Sequence, residues 1–228
     1  MILNIETTTQ VGSVSLAVEG NSWIVMEELE TGDHAKNITL FIEEVLKIAD
    51  INRWDIKAVA VSSGPGSYTG LRIGLSVAKG LCFALDVPLL GVPTLKALSY
   101  GVIKNYKLNE NDRIIALMDA RRMDAYAAVY DYKLNEVKAP FFLTLESDSF
   151  DVFIENEAKL YFCGNAVEKF NSLTSKSAFI FTSVKNPCSL LMEKLSFDLY
   201  KKGEFEDLAY FEPFYLKPPN ITKPKSIL

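Results

Sequence analysis

Apolar and polar residues alternate over Ile2–Glu6 and again over Gly12–Glu19, where Val14, Leu16 and Val18 share a face. Alternation with a period of two predicts half-buried strands, because successive strand side chains point to opposite faces. Glu19-Gly20-Asn21-Ser22 is turn chemistry, and Trp23–Leu29 reads as a third strand. The period then becomes helical. Ala35, Ile38, Phe41, Ile42, Val45, Leu46 and Ala49 form a broad apolar face opposite Lys36, Glu43, Glu44 and Lys47, with Asp33 placed to cap it. Leu40 falls on the polar side. Ile56–Ser62 predicts a fourth strand, the nearly all-apolar run Ile73–Leu85 a second helix, and Val87–Leu90 a fifth strand. Thr94 is placed to cap a third helix ending near Lys104. The order is βββαβαβα.

After a polar linker, Lys104–Arg113, the order repeats in weaker form. Strands are predicted at Ile114–Met118, Ala125–Asp131, Lys138–Thr144, Leu160–Cys163 and Ala178–Phe181. Helices are predicted at Phe150–Asn156, Ala166–Leu173 and Cys188–Lys201, with Pro187 at the start of the last. The tail from Gly203 carries Phe205, Tyr210, Phe211, Phe214 and Tyr215, then turns rich in Pro and Lys. The pattern predicts an α/β protein of two successive βββαβαβα halves, each a mixed sheet flanked by helices. The halves span residues 1–104 and 113–228, and the tail is expected to pack back on the first.

Composition narrows the function. With 49% hydrophobic residues among 228, a real core forms. A net charge of −5 makes the chain a poor nucleic-acid binder on its own, since phosphate affinity comes mainly from Lys and Arg. Cys82, Cys163 and Cys188 form no C-x-x-C pair and read as reduced thiols of a cytoplasmic protein. Met1-Ile2-Leu3-Asn4 enters a strand with no basic region before it. No apolar run reaches the roughly 18 residues of a membrane helix, so no membrane role is expected.

The stretch Ser62–Gly74 joins the fourth strand to the second helix and holds four glycines. A glycine-rich turn into a helix N-terminus is a phosphate cradle in principle. It lacks the lysine of a Walker A loop, and the third glycine of a dinucleotide fingerprint is replaced by Thr69. Ser67 does not sit in a G-x-S-x-G elbow, and nothing places the single histidine, His34, beside it, which leaves a hydrolase without a triad. With one histidine and no C-x-x-C, a metal site would have to be built almost wholly from carboxylates, which suits Mg²⁺ or Ca²⁺, so no zinc or iron centre is expected and no metal-ligand residues are assigned. The second helix is apolar nearly all round. Gly74, Ala78 and Cys82 recur every four residues on it, which invites close approach of another helix. Its Ile73, Gly74, Val77, Ala78 and Leu81, with Ile38, Leu40, Phe41 and Val45, are the candidate protein–protein seam. The chain's own first helix and tail are the other candidates to cover that surface.

Gly64-Pro65-Gly66-Ser67-Tyr68-Thr69-Gly70-Leu71-Arg72-Ile73-Gly74 resembles the signature of the TsaB (YeaZ) family of tRNA threonylcarbamoyladenosine biosynthesis. Ile5-Glu6-Thr7-Thr8, Leu90-Gly91-Val92-Pro93-Thr94-Leu95 and Met118-Asp119-Ala120-Arg121-Arg122-Met123-Asp124-Ala125-Tyr126 resemble other stretches of it, with Glu6 in place of an aspartate and Asp124 in place of a glutamate. The likeness is dense over residues 2–130. It implies an actin-like (ribonuclease H-like) fold and no independent catalysis. It also implies a non-catalytic scaffold subunit that pairs its first two helices with a TsaD-like catalytic subunit. A TsaE-like ATPase completes the machinery, tRNA is met through the complex, and the chain self-associates when alone. In that superfamily, acids after the first strand of each half help hold Mg²⁺ and phosphates; here they are Glu6 and Asp119. Glu6, Thr7, Gly64, Gly66, Ser67, Thr69, Asp119 and Arg121 are therefore the candidate nucleotide-proximal residues, with ATP or ADP and Mg²⁺ at most at a site completed by partners. The alternative is an ATP-dependent kinase of the actin-like class, whose adenosine stretch would have to be Cys163-Gly164-Asn165-Ala166.

Overall fold

The computed structural model describes residues 1–27, 34–155 and 158–217, with the backbone alone for 34–36. The first half runs β1 (Ile2–Glu6), β2 (Ser13–Val18), β3 (Asn21–Glu27), α1 (His34–Ile48), β4 (Ala58–Gly64), α2 (Tyr68–Leu85), β5 (Leu89–Pro93) and α3 (Thr94–Asn105). The second runs β6 (Arg113–Asp119), β7 (Asp124–Asp131), β8 (Glu136–Thr144), β9 (Leu160–Cys163), α4 (Val167–Asn171), β10 (Phe179–Phe181) and α5 (Ser189–Lys202). The strand orders are β3-β2-β1-β4-β5 and β10-β9-β6-β7-β8, which trace one topology twice. In each sheet the first three strands are antiparallel and the later ones join in parallel. The duplicated α/β arrangement predicted from the pattern is present.

The period of two explains which residues go where. On β1, Leu3 and Ile5 turn to one face and pack with Val14, Leu16, Val59 and Val61 under Ile38, Ile42 and Val45 of α1 and Leu75, Ala78 and Cys82 of α2. Ile2 turns to the other face, with Ala58, Ala60, Leu90 and Val92. That face is covered from outside its own half, by Met192, Leu191, Leu195 and Leu199 of α5. The exchange is mutual. Leu95, Leu98 and Val102 of α3 pack on Ile114, Ala116 and Met118 of β6 and on Tyr161 and Cys163 of β9. The last helix of each half therefore shields the other half's sheet, and the two helices also touch each other.

The second sheet's remaining face is closed by rings. Phe150, Phe162, Phe170, Phe179 and Phe181 form a cluster with centroids between 4.9 and 6.3 Å apart. The tail returns to the first half. Glu206 pairs with Leu89 as a β-bridge, Leu208 and Phe211 pack on the α2 side of the sheet, and Phe214 N–H donates to the Ser63 carbonyl at 2.7 Å.

Several boundaries differ from the pattern. The helix predicted at Phe150–Asn156 is a single 3-10 turn, Asp151–Phe153; Asn156 lies outside the described residues. The predicted Ala166–Leu173 helix is the five-residue α4. Thr94 does not cap α3: Pro93 occupies the cap position and the Thr94 hydroxyl is buried without a partner. The second helix starts at Tyr68 rather than Ile73, because Ser67 caps it by accepting from Gly70 N–H at 3.3 Å. Asp33 and the end of the third predicted strand fall outside the described residues. Among the described residues no helix is long and apolar enough to cross a membrane.

Candidate functional site

The glycine-rich stretch is built around Thr7 and Thr8, which follow β1. Gly66, Gly70 and Gly74 recur every four residues and present one face to these threonines. A Cβ on Gly70 would lie 1.9 Å from the Thr7 carbonyl oxygen, and one on Gly74 would lie 2.3 Å from the Thr7 hydroxyl. Into that space Thr7 donates its hydroxyl to the Gly70 carbonyl at 2.8 Å, and Ser67 N–H donates to the Thr8 carbonyl at 2.7 Å. The missing side chains thus serve a close backbone crossing inside the chain. Gly74, Ala78 and Cys82 form the inner face of α2.

That corner corrects the candidate seam. Ile38, Val45, Gly74 and Ala78 are buried against the chain's own sheet and present nothing outward. Phe41, Ile73, Val77 and Leu81 are half-buried, and Leu40 stands 45% exposed. The outward face carries residues the pattern did not single out: Phe83 at 83% exposure, Ile48 at 62%, and Gly80, beside which a Cβ would meet only open space. The signal that finds Phe83 and Gly80 is the helical wheel of α2 read outward from the Gly74–Ala78–Cys82 row; Ile48 is found on the wheel of α1, away from its buried Ile38–Ile42–Val45 face.

The two acids after the first strands have different surroundings. Glu6 shares the face of β1 that α5 covers and is fully buried. Its carboxylate accepts from Thr8 N–H and Thr8 Oγ1, both at 2.5 Å, and from the Ser62 hydroxyl. Burial pushes its pKa above the ordinary carboxylate range, partly opposed by those three donors. Asp119 is exposed at the mouth of the cleft between the halves. Lys169 Nζ donates to it at 2.7 Å and to the Arg122 carbonyl at 2.6 Å. Arg121 N–H donates to the same carboxylate at 2.6 Å, and Asp119 N–H donates to Asn165 Oδ1 at 2.8 Å.

The cleft has a volume of about 1180 Å³. It gathers Gly66, Ser67, Thr69, Asp119 and Arg121 from the predicted set, and adds Arg122, Asn165, Lys169, Tyr215 and Lys217. Glu6 and Thr7 lie beneath its wall, and Gly64 lines a separate 380 Å³ cavity with Gly91, Lys96 and Phe211. Gly164 is structural, because a Cβ there would stand 2.0 Å from the Leu117 carbonyl oxygen. Arg121 and Arg122 sit at φ 72° and 49°. Left-handed backbone costs a non-glycine residue on the order of 1–2 kcal/mol. No sequence signal marked Lys169, which lies in a five-residue helix.

The donor set does not fit Mg²⁺ held by this chain alone. The Asp119 carboxylate faces an ammonium, the Glu6 carboxylate is enclosed by hydroxyl and amide donors, and among the described residues no three His, Cys, Asp or Glu side chains converge.

The model of the family described as tRNA N6-adenosine threonylcarbamoyltransferase, TsaD, matches residues 25–223. The chain belongs to this family. Within it, the chain is similar to proteins named for TsaB. It is 34% identical over 136 residues to the tRNA threonylcarbamoyladenosine biosynthesis protein TsaB of Escherichia coli, covering 60% of this chain and 57% of that protein. It is 26% identical to the TsaB of Haemophilus influenzae, covering 95% of this chain and 93% of that protein. The solved structure of YeaZ from Pseudomonas aeruginosa shares the fold, with a TM-score of 0.81 at 24% identity over 94% of this chain and 99% of that one.

Proposed function

We propose that this chain is an accessory subunit in the transfer of a threonylcarbamoyl group to an adenosine of tRNA, without chemistry of its own. It docks through the outer face of α1 and α2 onto a TsaD-type catalytic partner. The observation that carries this reading is that the two packed helices α1 and α2 expose Leu40, Ile48 and Phe83, with Gly80 open to solvent on α2. A contiguous exposed apolar patch marks a protein interface, and a glycine lets a partner helix come close. The occupied Asp119 supports the absence of independent phosphoryl chemistry. A TsaE-type ATPase then acts on the complex, and any nucleotide near this chain is held by groups the partners supply. A second copy of the chain competes for the same surface when no partner is present.

The test is capture of a purified TsaD-type protein by the full-length chain. Phe83→Glu and Leu40→Glu each abolish capture while the circular dichroism spectrum and Tm stay close to the parent's. A parent chain that fails to bind the TsaD-type protein overturns the proposal, as does robust ATP turnover by the isolated chain that Glu6→Ala removes.

A further inference from the structure

The cleft between the halves has a charge balance that the rest of the chain does not share. The whole chain carries a net −5, yet four cations and one carboxylate line the cleft: Arg121, Arg122, Lys169 and Lys217 against Asp119. Lys169 is bound to Asp119, and Lys217 lies 3.9 Å from Asp124. The guanidinium groups of Arg121 and Arg122 have no hydrogen bond or ion pair among the described residues, and both side chains are exposed.

These two free cations are also held in place. Both arginines sit at positive φ, where asparagine or glycine is at ease. The turn is fixed by Arg121 N–H donating to Asp119, by Asp124 N–H donating to the Arg121 carbonyl at 3.0 Å, and by Lys169 donating to the Arg122 carbonyl. Lys169 thus neutralises the one acid and supports the turn that presents the arginines. Backbone strain retained at an open cleft, with unspent charge on the strained residues, marks a ligand surface.

The remaining lining describes the ligand. Tyr68 and Tyr215 pack ring against ring, with centroids 4.9 Å apart and a 40° tilt, and Arg72 lies over the Tyr68 ring at 4.1 Å. Tyr126 lines the same cleft, and Ser67, Thr69 and Asn165 add neutral polar groups. Free cations with aromatic rings are the surface that binds unpaired RNA: guanidinium to phosphate, base to ring. A free nucleoside triphosphate fits less well. It arrives with Mg²⁺, and the only carboxylate among the described residues that line the cleft is already bound to an ammonium.

We infer that this chain contacts RNA directly, the Arg121–Arg122 turn binding backbone phosphates of the tRNA while the Tyr68–Tyr215 ring pair and Tyr126 offer apolar surface to an unstacked base. The inference rests on the tRNA-modification reading and goes beyond it, since there the tRNA is met only through the partner.

The test uses the full-length chain, alone and in complex with a TsaD-type partner, and an unmodified tRNA transcript. Arg121→Asn combined with Arg122→Gly keeps the turn and removes both charges. Tm of the double variant stays level or rises, and partner capture stays intact. Its tRNA affinity falls, and the slope of log affinity against log salt becomes shallower by about 2, as expected for two lost phosphate contacts. Unchanged tRNA affinity and slope in a variant that still captures the partner overturn the inference. Displacement of the tRNA by millimolar ATP in the parent but not in the variant also overturns it, in favour of a mononucleotide site. Failure of the parent to capture the partner counts against the proposed function alone, because the RNA comparison is also read on the isolated chain.

Discussion

Helices of 15 and 18 residues cover the outer face of the first sheet. A three-residue turn, a five-residue helix and five phenylalanines cover the same face of the second. The strand order is the same in both halves. The difference shows that one topology is closed in two ways. Long amphipathic helices bury one stripe and leave a second, outward stripe that can be used for docking. Rings fill the space with little backbone and leave no helical surface to offer. The half that keeps its helices also keeps Leu40, Ile48 and Phe83 exposed. The corresponding acids follow the same divide: Glu6 is enclosed under a helix lent by the other half, and Asp119 stands at an open rim with a lysine on it.

The sharpest way to break the comparison is to remove a ring. Phe162 contacts four other phenylalanines and is fully buried. Phe162→Ala is expected to cost about 3–5 kcal/mol, read from urea unfolding. A loss under about 1.5 kcal/mol, the range of a tolerated swap, would mean that the rings are not what closes this half.

The matching test in the first half is Gly70→Ala. The added methyl meets a backbone carbonyl that cannot rotate away, so overpacking costs about 1–3 kcal/mol by the same assay, despite alanine's better helix propensity. A neutral result would show that the Thr7–Gly70 crossing is loose.

Glu6 distinguishes the two acids through pH. Its folded pKa lies above the ordinary value of 4.5. Between those two values the folded chain holds a proton that the unfolded chain has released, so stability is full below pH 4.5 and falls as pH rises toward the folded pKa. One such group contributes a slope of at most about 1.4 kcal/mol per pH unit. Glu6→Gln should remove that slope, leaving the contributions of Glu193 and Glu206, whose pKa values burial also raises. An unchanged pH profile would show that Glu6 is not desolvated. At Asp119, Lys169→Ala removes a partly exposed pair and should cost about 1 kcal/mol; a loss of several kcal/mol would make the pair a structural element.

The strands, their order and the duplication were legible because period-two alternation and turn residues are local properties. The glycine stretch was legible as a corner, since a glycine-rich turn without a phosphate-binding lysine reads as one. Lys169 and the arginine turn were only half legible: the arginines are visible in the sequence, but their freedom from partners depends on where Lys169 lands.

Alternation on β1 by itself determined that Leu3 and Ile5 face one way and Asn4 and Glu6 the other. Helical period likewise determined that Gly70, Gly74, Ala78 and Cys82, four residues apart, share one side of α2. Only the tertiary structure decided what those sides meet. The exchange of α3 and α5 between the halves turned Glu6 from a cleft acid into a buried one. On the opposite face of the same sheet, packing on Leu3, Ile5, Val59 and Val61 set the Gly74–Ala78–Cys82 row against the chain's own sheet rather than a partner. A pattern along the chain specifies which residues share a face, because that follows from local geometry. Which surface covers the face depends on contacts far apart in the chain, 63 positions for Thr7 and Gly70 and 192 for Asn4 and Ser196, and no local period encodes them.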